Sequence, residues 1–154
     1  MDATFSMQPI GHVQGGRSAA VDDDWGGSRA SIVLTGRFAA DALAGLGDFS
    51  HVEVVFVFDR LPEAEITHAA RRPRGNPDWP LVGIFAQRGR NRPNRIGVSV
   101  CRIVAVEGTM LEVEGLDAID GTPVLDIKPV LRGFLPRGNI VEPEWATAIM
   151  ADYW

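Results

Sequence analysis

The chain has 154 residues, 45% of them hydrophobic and 23% charged, and a formal net charge of −5 at pH 7. These values are typical of a globular protein large enough for one domain with its own core. The acidic balance argues against a general electrostatic attraction to nucleic acid, so any such contact needs a local basic patch. No apolar run approaches the roughly 20 residues of a membrane-spanning helix and the N-terminus lacks a secretory pattern, so we expect a cytoplasmic protein without membrane contact.

Short apolar runs rich in β-branched residues predict β-strands separated by glycine- and proline-rich turns. In chain order the strands are expected over 10–13, 31–38, 52–58, 81–86, 96–106, 110–113 and 124–127. The run over 52–58 is almost continuously apolar, so it should be buried on both faces or line a closed barrel. The turn at 107–109 joins its two neighbouring strands into a hairpin.

The remaining segments predict loops and little helix. Residues 15–29 are polar and glycine-rich, which predicts a flexible loop, and Trp25 within it either covers a pocket or packs on the barrel edge. Residues 39–46 predict a short helix or turn. Residues 142–152 predict a helix that has Pro143 in its first turn. On this helix one apolar stripe either closes the core or meets another subunit. The stripe consists of Trp145, Ile149 and Tyr153.

Many short strands with little helix predict a mainly β fold, a single antiparallel β-barrel with short flanking helices that occupies residues 1–154 as one domain. The only cysteine, Cys101, lies in an apolar strand pattern, which favours a core position over a nucleophilic one. One cysteine and three scattered histidines predict no disulfide and no metal site. The chain carries no phosphate-binding glycine loop, nucleophile elbow or dinucleotide-binding motif.

The stretch over 83–97, GIFAQRGRNRPNRIG, is the most unusual in the chain. Its four guanidinium groups repel one another, so folding alone does not account for them, whereas guanidinium suits carboxylate and phosphate ligands. Polar and charged side chains on nearby loops and strand ends would together suit a zwitterionic ligand, or would form a salt-bridge network that closes one end of a barrel. These side chains are Arg88, Arg92, Asn94, Asp117, Asp120, Asp126 and Lys128.

This stretch resembles the signature of the TrmO/TsaA-like family, which reads close to G-[hydrophobic]-F-A-T-R-S-P-x-R-P-N-x-[aliphatic]-G. The sequence GLDAIDGTPVLDIKP over 115–129 resembles the second signature of the same family, and PIGHV and FSHVEVVFVF resemble its other recurring segments. Two long signatures in the right order are far more specific than a lone glycine motif. The resemblance covers roughly residues 9–129 and is to the short form of the family, without its C-terminal domain.

The resemblance implies a homodimeric, S-adenosylmethionine-dependent methyltransferase that modifies N6 of threonylcarbamoyl-adenosine next to the anticodon of transfer RNA. It implies that the cofactor contacts both signatures and two further segments. The implied contacts are Ser28, Arg29, Ala30, Asp59, Arg60, Phe85, Gln87, Arg88, Arg92, Asn94, Val100, Leu116, Asp117, Ala118, Ile119 and Asp120.

This chain departs from the family pattern at three places. The family's Thr-Arg-Ser-Pro is Gln-Arg-Gly-Arg over 87–90, its Pro-Arg-Gln is Ser-Arg-Ala over 28–30, and its His-Gln is Asp-Arg over 59–60. Cofactor binding is therefore better supported than the identity of the substrate. The alternatives are a protein that binds S-adenosylmethionine without catalysis, and a methyltransferase that acts on a small molecule or another RNA.

Contact with transfer RNA is expected through a local arginine patch, since the chain as a whole is acidic. The patch consists of Arg71, Arg72, Arg74, Arg90 and Arg95. A sulfonium methyl group is already activated, so the enzyme needs in-line positioning and a group that removes one proton from the acceptor nitrogen. Asp59, Asp117 and Asp120 are each able to assist, and the sequence does not choose among them.

Overall fold

The computed structural model describes residues 2–154 and contains a closed antiparallel β-barrel of six strands. The strands are β1 (Gly11–Gln14), β2 (Arg29–Leu34), β3 (His51–Val57), β4 (Ala70–Arg71), β5 (Val82–Gly83), β6 (Ile96–Glu107), β7 (Met110–Glu114) and β8 (Pro123–Pro129). The barrel order is β1-β2-β7-β6-β3-β8, and β8 pairs with β1 to close it. Strands β4 and β5 form a separate ribbon, and the one α-helix among the described residues, α1, spans Glu144–Ile149. The predicted fold class is confirmed.

Burial alternates along the barrel strands, because successive side chains of a strand point to opposite faces. On β3 the inward residues Val52, Val54 and Phe56 are 0 to 1% exposed, and they join the inward residues of the other five strands in one core. Cys101 is 1% exposed in the same core, which confirms its predicted position. The interior of the barrel is therefore a packed core.

Three predicted elements are shorter than the sequence indicates. The strand expected over 81–86 is reduced to β5, and Ile84–Ala86 forms a 3-10 turn, because the only partner of β5 is the two-residue strand β4. The strand expected over 31–38 ends at Leu34, where the chain turns away from its ladder. The helix expected over 142–152 is regular only over α1, and its stripe is half-buried against its own chain.

The loop over 15–28 is mostly exposed, and Trp25 is its one buried residue. Trp25 is 2% exposed, and its indole Nε1 donates a hydrogen bond to the Val21 carbonyl at 3.0 Å. The Arg17 guanidinium lies 4.5 Å from the centre of the Trp25 ring, a cation–π contact. Trp25 is thus buried and held by contacts with Val21 and Arg17 of its own loop.

The alternating strand directions bring three connections together at one end of the barrel. Because neighbouring strands are antiparallel, β1, β3 and β7 finish at the end where β2, β6 and β8 begin. We call this the site end, and it is formed by residues 15–28, 58–95 and 115–122. After β8 the chain leaves from the opposite end, runs exposed over 131–143, and returns through α1 to the site end, where the Trp25 amide donates to the Tyr153 carbonyl at 2.8 Å.

Candidate functional site at one end of the barrel

All the residues that the sequence predicts as cofactor contacts lie on the three connections of the site end or on the strands beside them. The two family signatures are distant in sequence, yet the topology brings them to the same end. Val100 lies on β6 and is 52% exposed, and Phe85 lies on the 3-10 turn after β5 and is 77% exposed. Large apolar side chains left open to solvent beside charged groups are typical of a ligand or partner surface.

Asp117 is the centre of a hydrogen-bonded cluster. Its carboxylate accepts a hydrogen bond from the Ser99 hydroxyl on β6 through one oxygen and from the Tyr153 hydroxyl through the other. Burial, followed by the charge of Asp117, raises the pKa of Tyr153 well above its usual range, so the phenol stays protonated and donates. Two hydroxyl donors therefore fix the orientation of this carboxylate.

Arg88 lies alongside this cluster. Its Nη2 donates to the carbonyl of Val98 at 2.7 Å, one residue before Ser99 on β6. Two exposed apolar side chains lie near these groups in sequence: Phe85 on the 3-10 turn before Arg88, and Val100 next to Ser99 on β6. This combination suits a ligand with a flat ring and charged groups of both signs.

Gln87 and Arg92, also predicted as cofactor contacts, have partners within the loop. Gln87 is 7% exposed, and its Nε2 donates to the carbonyls of Arg71 and Val82, both at 3.0 Å. Arg92 Nη1 donates to the Gln87 carbonyl at 2.7 Å. Asn94 is exposed and has a φ of 62°, in the left-handed region that costs a non-glycine residue about 1 kcal/mol or more. These bonds fix the path of the basic loop.

Asp120 and Arg60 tie the three connections together. Asp120 Oδ1 accepts from the Gly15 amide at 2.9 Å, and Arg60 Nη2 donates to the Asp120 carbonyl at 3.0 Å. Gly121 follows with a φ of 86°, and a Cβ there would lie 2.9 Å from Arg60 Nη2. Asp59, next to Arg60, is exposed.

The segment Ser28–Ala30 meets the second signature through the backbone. The Gly115 amide donates to the Ser28 carbonyl at 2.9 Å. Arg29 Nε pairs with Glu114 Oε2 at 2.9 Å, and Ala30 is 6% exposed inside the barrel. Leu116 and Ala118 are likewise buried, at 1% and 5%. The site surface is therefore supported by Arg29, Ala30, Leu116 and Ala118. The last three of these are buried and present little side chain to a ligand.

Most arginines of the predicted patch donate to acceptors in the protein. Arg74 pairs with Asp23 at 2.9 Å, and Arg95 Nη1 donates to the Leu61 carbonyl at 2.8 Å. Arg71 donates to Asn91 Oδ1 at 3.4 Å and Arg72 to the Trp79 carbonyl, whereas Arg90 is exposed. The four bonded guanidinium groups are thus held in defined positions around the loop.

An apolar cavity of about 440 Å³ lies at the opposite end of the barrel, between the β2–β3 connection and β8. Its lining includes Leu34, Phe38, Phe49 and Ile127. Within residues 2–154 no group of three or more His, Cys, Asp or Glu side chains is placed to hold a metal ion. No helix in that range is long and apolar enough to cross a membrane.

Sequence reasoning missed two members of the site, Ser99 on β6 and Tyr153. Tyr153 is the more distant of the two from the signatures. It lies well beyond the end of the second signature, and the sequence pattern places it only on an apolar helical stripe, whereas its hydroxyl reaches Asp117. A tyrosine on a stripe otherwise made of tryptophan and isoleucine carries a polar group that needs a partner when buried, and this was the available signal.

Comparison with known proteins identifies the family. Residues 23–134 match the sequence profile described as the tRNA-methyltransferase O N-terminal domain. The chain belongs to this family. A human tRNA (adenine(37)-N6)-methyltransferase is 38% identical over 102 residues, which cover 66% of this chain and 23% of that protein. A putative S-adenosylmethionine-dependent methyltransferase RcsF of Pseudomonas aeruginosa is 41% identical over 103 residues, or 66% of this chain and 40% of that one.

The crystal structure of TrmO from Pseudomonas aeruginosa superposes with a TM-score of 0.76 at 29% identity, covering 94% of this chain and 63% of that one. The fold shared with that structure therefore extends over nearly the whole chain. The chain spans between about a quarter and two fifths of the length of the two curated relatives.

Proposed function

We propose that this chain is an S-adenosylmethionine-dependent methyltransferase that modifies N6 of threonylcarbamoyl-adenosine next to the anticodon of transfer RNA. The observation that carries the proposal is the family match over residues 23–134, whose two signatures meet at the site end. The names of the human and Pseudomonas relatives support the reaction and the cofactor. The threonylcarbamoyl group rests on the signature resemblance alone.

The side chains at the site end fit S-adenosylmethionine. Phe85 and Val100 offer exposed apolar surface for the adenine ring, and Arg88 offers a guanidinium for the methionine carboxylate. The carboxylate of Asp117, already oriented by two hydroxyl groups, offers an acceptor for ribose hydroxyls or the ammonium group. When bound, the cofactor supplies a methyl group that is activated by its sulfonium.

The chain's own contribution is to position the acceptor nitrogen and to remove its proton. Asp117 is engaged by Ser99 and Tyr153, so its role is to bind and orient. Asp59 is exposed, and Asp120 is exposed with one oxygen bonded to the Gly15 amide. We therefore assign proton removal to one of these two carboxylates.

The proposal includes a homodimer, a cytoplasmic location and RNA contact through the arginine patch. An anticodon loop presents splayed bases to a pocket while its backbone needs cationic contacts, and the exposed members of the patch are Arg72, Arg74 and Arg90. The single buried cysteine fits a reducing compartment. The dimer rests on the family resemblance.

The experiment is a methyl-transfer assay with the purified chain, S-adenosylmethionine and two preparations of one transfer RNA, with and without the threonylcarbamoyl group. Mass spectrometry of the nucleosides should show one added methyl only in the modified preparation. Asp59→Asn and Asp120→Asn are compared, and one of them should reduce the rate at least 100-fold. If neither preparation is methylated at any salt concentration, the proposed substrate is wrong.

A further inference from the structure

The last residues of the chain are built into the site end from outside the family match. The match ends at residue 134, whereas the Asp24 amide donates to the Asp152 carbonyl at 2.9 Å and the Trp25 amide to the Tyr153 carbonyl at 2.8 Å. A Cβ on Gly26 would lie only 2.6 Å from the carbonyl carbon of Trp154. These contacts fix the backbone on both sides of Tyr153 against the loop over 15–28.

The anchored backbone directs the Tyr153 hydroxyl to Asp117. The ring packs edge-on against Trp154, with 4.8 Å between the ring centres, and the hydroxyl donates to one carboxylate oxygen of Asp117 while Ser99 donates to the other. The neighbours of Asp117 in sequence, Leu116 and Ala118, are buried. The hydroxyl of Tyr153 therefore holds the one charged side chain at the start of the turn over 116–120.

The direction of the hydrogen bond is set by the state of the phenol. Burial and the charge of Asp117 keep Tyr153 protonated, so it acts as a permanent donor and not as a base. Without this hydroxyl, Asp117 would keep only the Ser99 anchor, and its carboxylate would be free to rotate. A hydrogen bond to a charged group is worth more than one between neutral groups.

We infer that Tyr153 is a positioning residue for the cofactor site, whose hydroxyl holds Asp117 and thereby the turn over 116–120 in the orientation that binds the cofactor. This inference rests on the proposed function, in that the turn is taken to contact S-adenosylmethionine. The C-terminal segment, which returns from the opposite end of the barrel through α1, is then one of the elements that shape the site.

The test compares Tyr153→Phe, which removes only the hydroxyl, with Thr147→Val, which removes a hydroxyl on α1 that donates to Glu142 at 2.6 Å, away from Asp117. In calorimetry Tyr153→Phe should weaken S-adenosylmethionine binding about tenfold, and Thr147→Val should not change it. In the methylation assay the KM for the cofactor should rise by a similar factor while kcat changes less than about twofold. In an Asp117→Asn background, Tyr153→Phe should add little, because the two residues act as a unit.

Two ligand-free measurements separate this inference from the proposed function. Hydrogen exchange of the peptide over 115–122 should be faster in Tyr153→Phe than in Thr147→Val. Tyr153 is the only tyrosine of the chain, so the NMR signal of its labelled ring carbon Cζ reports the hydrogen bond to Asp117, and Asp117→Asn should shift that signal. If the wild type binds no S-adenosylmethionine, the proposed function fails, and these two measurements still decide whether Tyr153 holds the turn.

Three results would overturn the inference. One is cofactor affinity in Tyr153→Phe equal to that of the wild type. Another is equal exchange of the 115–122 peptide in Tyr153→Phe and Thr147→Val. The last is a Tyr153 ring-carbon signal that Asp117→Asn leaves unchanged, and this result applies even if Tyr153→Phe does not fold.

Discussion

Arg71 and Gly89 lie so close in the basic loop that a side chain at position 89 would meet the Arg71 guanidinium. A Cβ on Gly89 would lie 2.4 Å from Arg71 Nη2, and the resembled family signature has serine at this position. Arg71 donates to Asn91, while its Nε is buried without an acceptor among residues 2–154. The guanidinium of Arg71 is thus packed into the loop, and the missing side chain at Gly89 makes room for it.

We predict that Gly89→Ser displaces the Arg71 guanidinium from the loop. The displaced atom is the far end of a flexible side chain, so the free energy of unfolding should change by less than about 1 kcal/mol. A crystal structure of the variant would show the Arg71 to Asn91 hydrogen bond broken. An unmoved Arg71 would contradict the prediction.

Cys101 should be inert in the folded protein. Burial, followed by the charge of Asp117, raises the pKa of its thiol to about 12, and the thiolate is the reactive form. Iodoacetamide should therefore label Cys101 only after denaturation, as mass spectrometry of native and denatured samples would show. Rapid labelling of the native protein at neutral pH would argue against a closed barrel interior.

At the level of single strands, β6 packs against the Phe56 ring of β3 at the position of Gly97. A Cβ on Gly97 would lie 2.5 and 2.6 Å from atoms of the Phe56 ring, which is itself 1% exposed. Gly97→Ala should therefore lower the free energy of unfolding by about 1–3 kcal/mol through overpacking. Gly36→Ala is the matched control, since a Cβ there meets no atom within 4 Å, and urea denaturation of both variants would test the difference. Equal stability would contradict the packing described for the two strands.

Glu114 joins three strands, because Arg102 on β6 and Arg29 on β2 both pair with its carboxylate on β7. Hydrogen bonds from Arg102 and then Arg29 lower its pKa below the ordinary value of 4.5. A lowered pKa contributes stability above pH 4.5, and the contribution is lost as the pH falls through the folded-state pKa.

Glu114→Gln should therefore be less stable than the wild type at pH 6, and the difference should shrink as the pH falls below 4.5. Urea denaturation across this pH range would show it. The pairs are exposed, so we expect a small effect. A stability difference between the two proteins that does not depend on pH would mean that the ion pairs contribute nothing to the free energy of unfolding.

The barrel strands were predictable because one face of each is buried, which imposes a regular apolar pattern such as Val52, Val54 and Phe56. The structure of residues 81–86 was not predictable in this way, because most of these apolar residues form a turn in which Ile84 is buried and Phe85 is exposed. Tyr153 was missed for a different reason. Its contact with Asp117 joins residues 36 positions apart through a chain reversal that no local pattern encodes.

On the scale of the whole molecule, the exposed segment over 131–143 leaves large apolar side chains in solvent. Phe134, Ile140 and Val141 are 88%, 72% and 92% exposed. Apolar residues clustered on one segment are typical of an interaction surface. This segment is a better candidate for a subunit contact than the stripe of α1, which is half-buried on its own chain.

We predict that light scattering gives twice the chain mass of 16.7 kDa at micromolar concentration. Replacing Phe134 and Val141 together by serine should shift the protein towards the monomer, because it removes apolar area from the proposed contact. Thermal unfolding of the monomeric variant would show whether the barrel survives. A wild type with the mass of one chain would contradict the dimer.

The central claim is that the connections at the site end bind S-adenosylmethionine, and calorimetric titration tests it most directly. The wild type should bind with micromolar or tighter affinity, a free energy on the order of −8 kcal/mol. Arg88→Ala should bind at least tenfold more weakly with an unchanged melting temperature, because Arg88 is exposed on a loop. Absence of heat and of any thermal shift with the wild type at millimolar cofactor would contradict the claim.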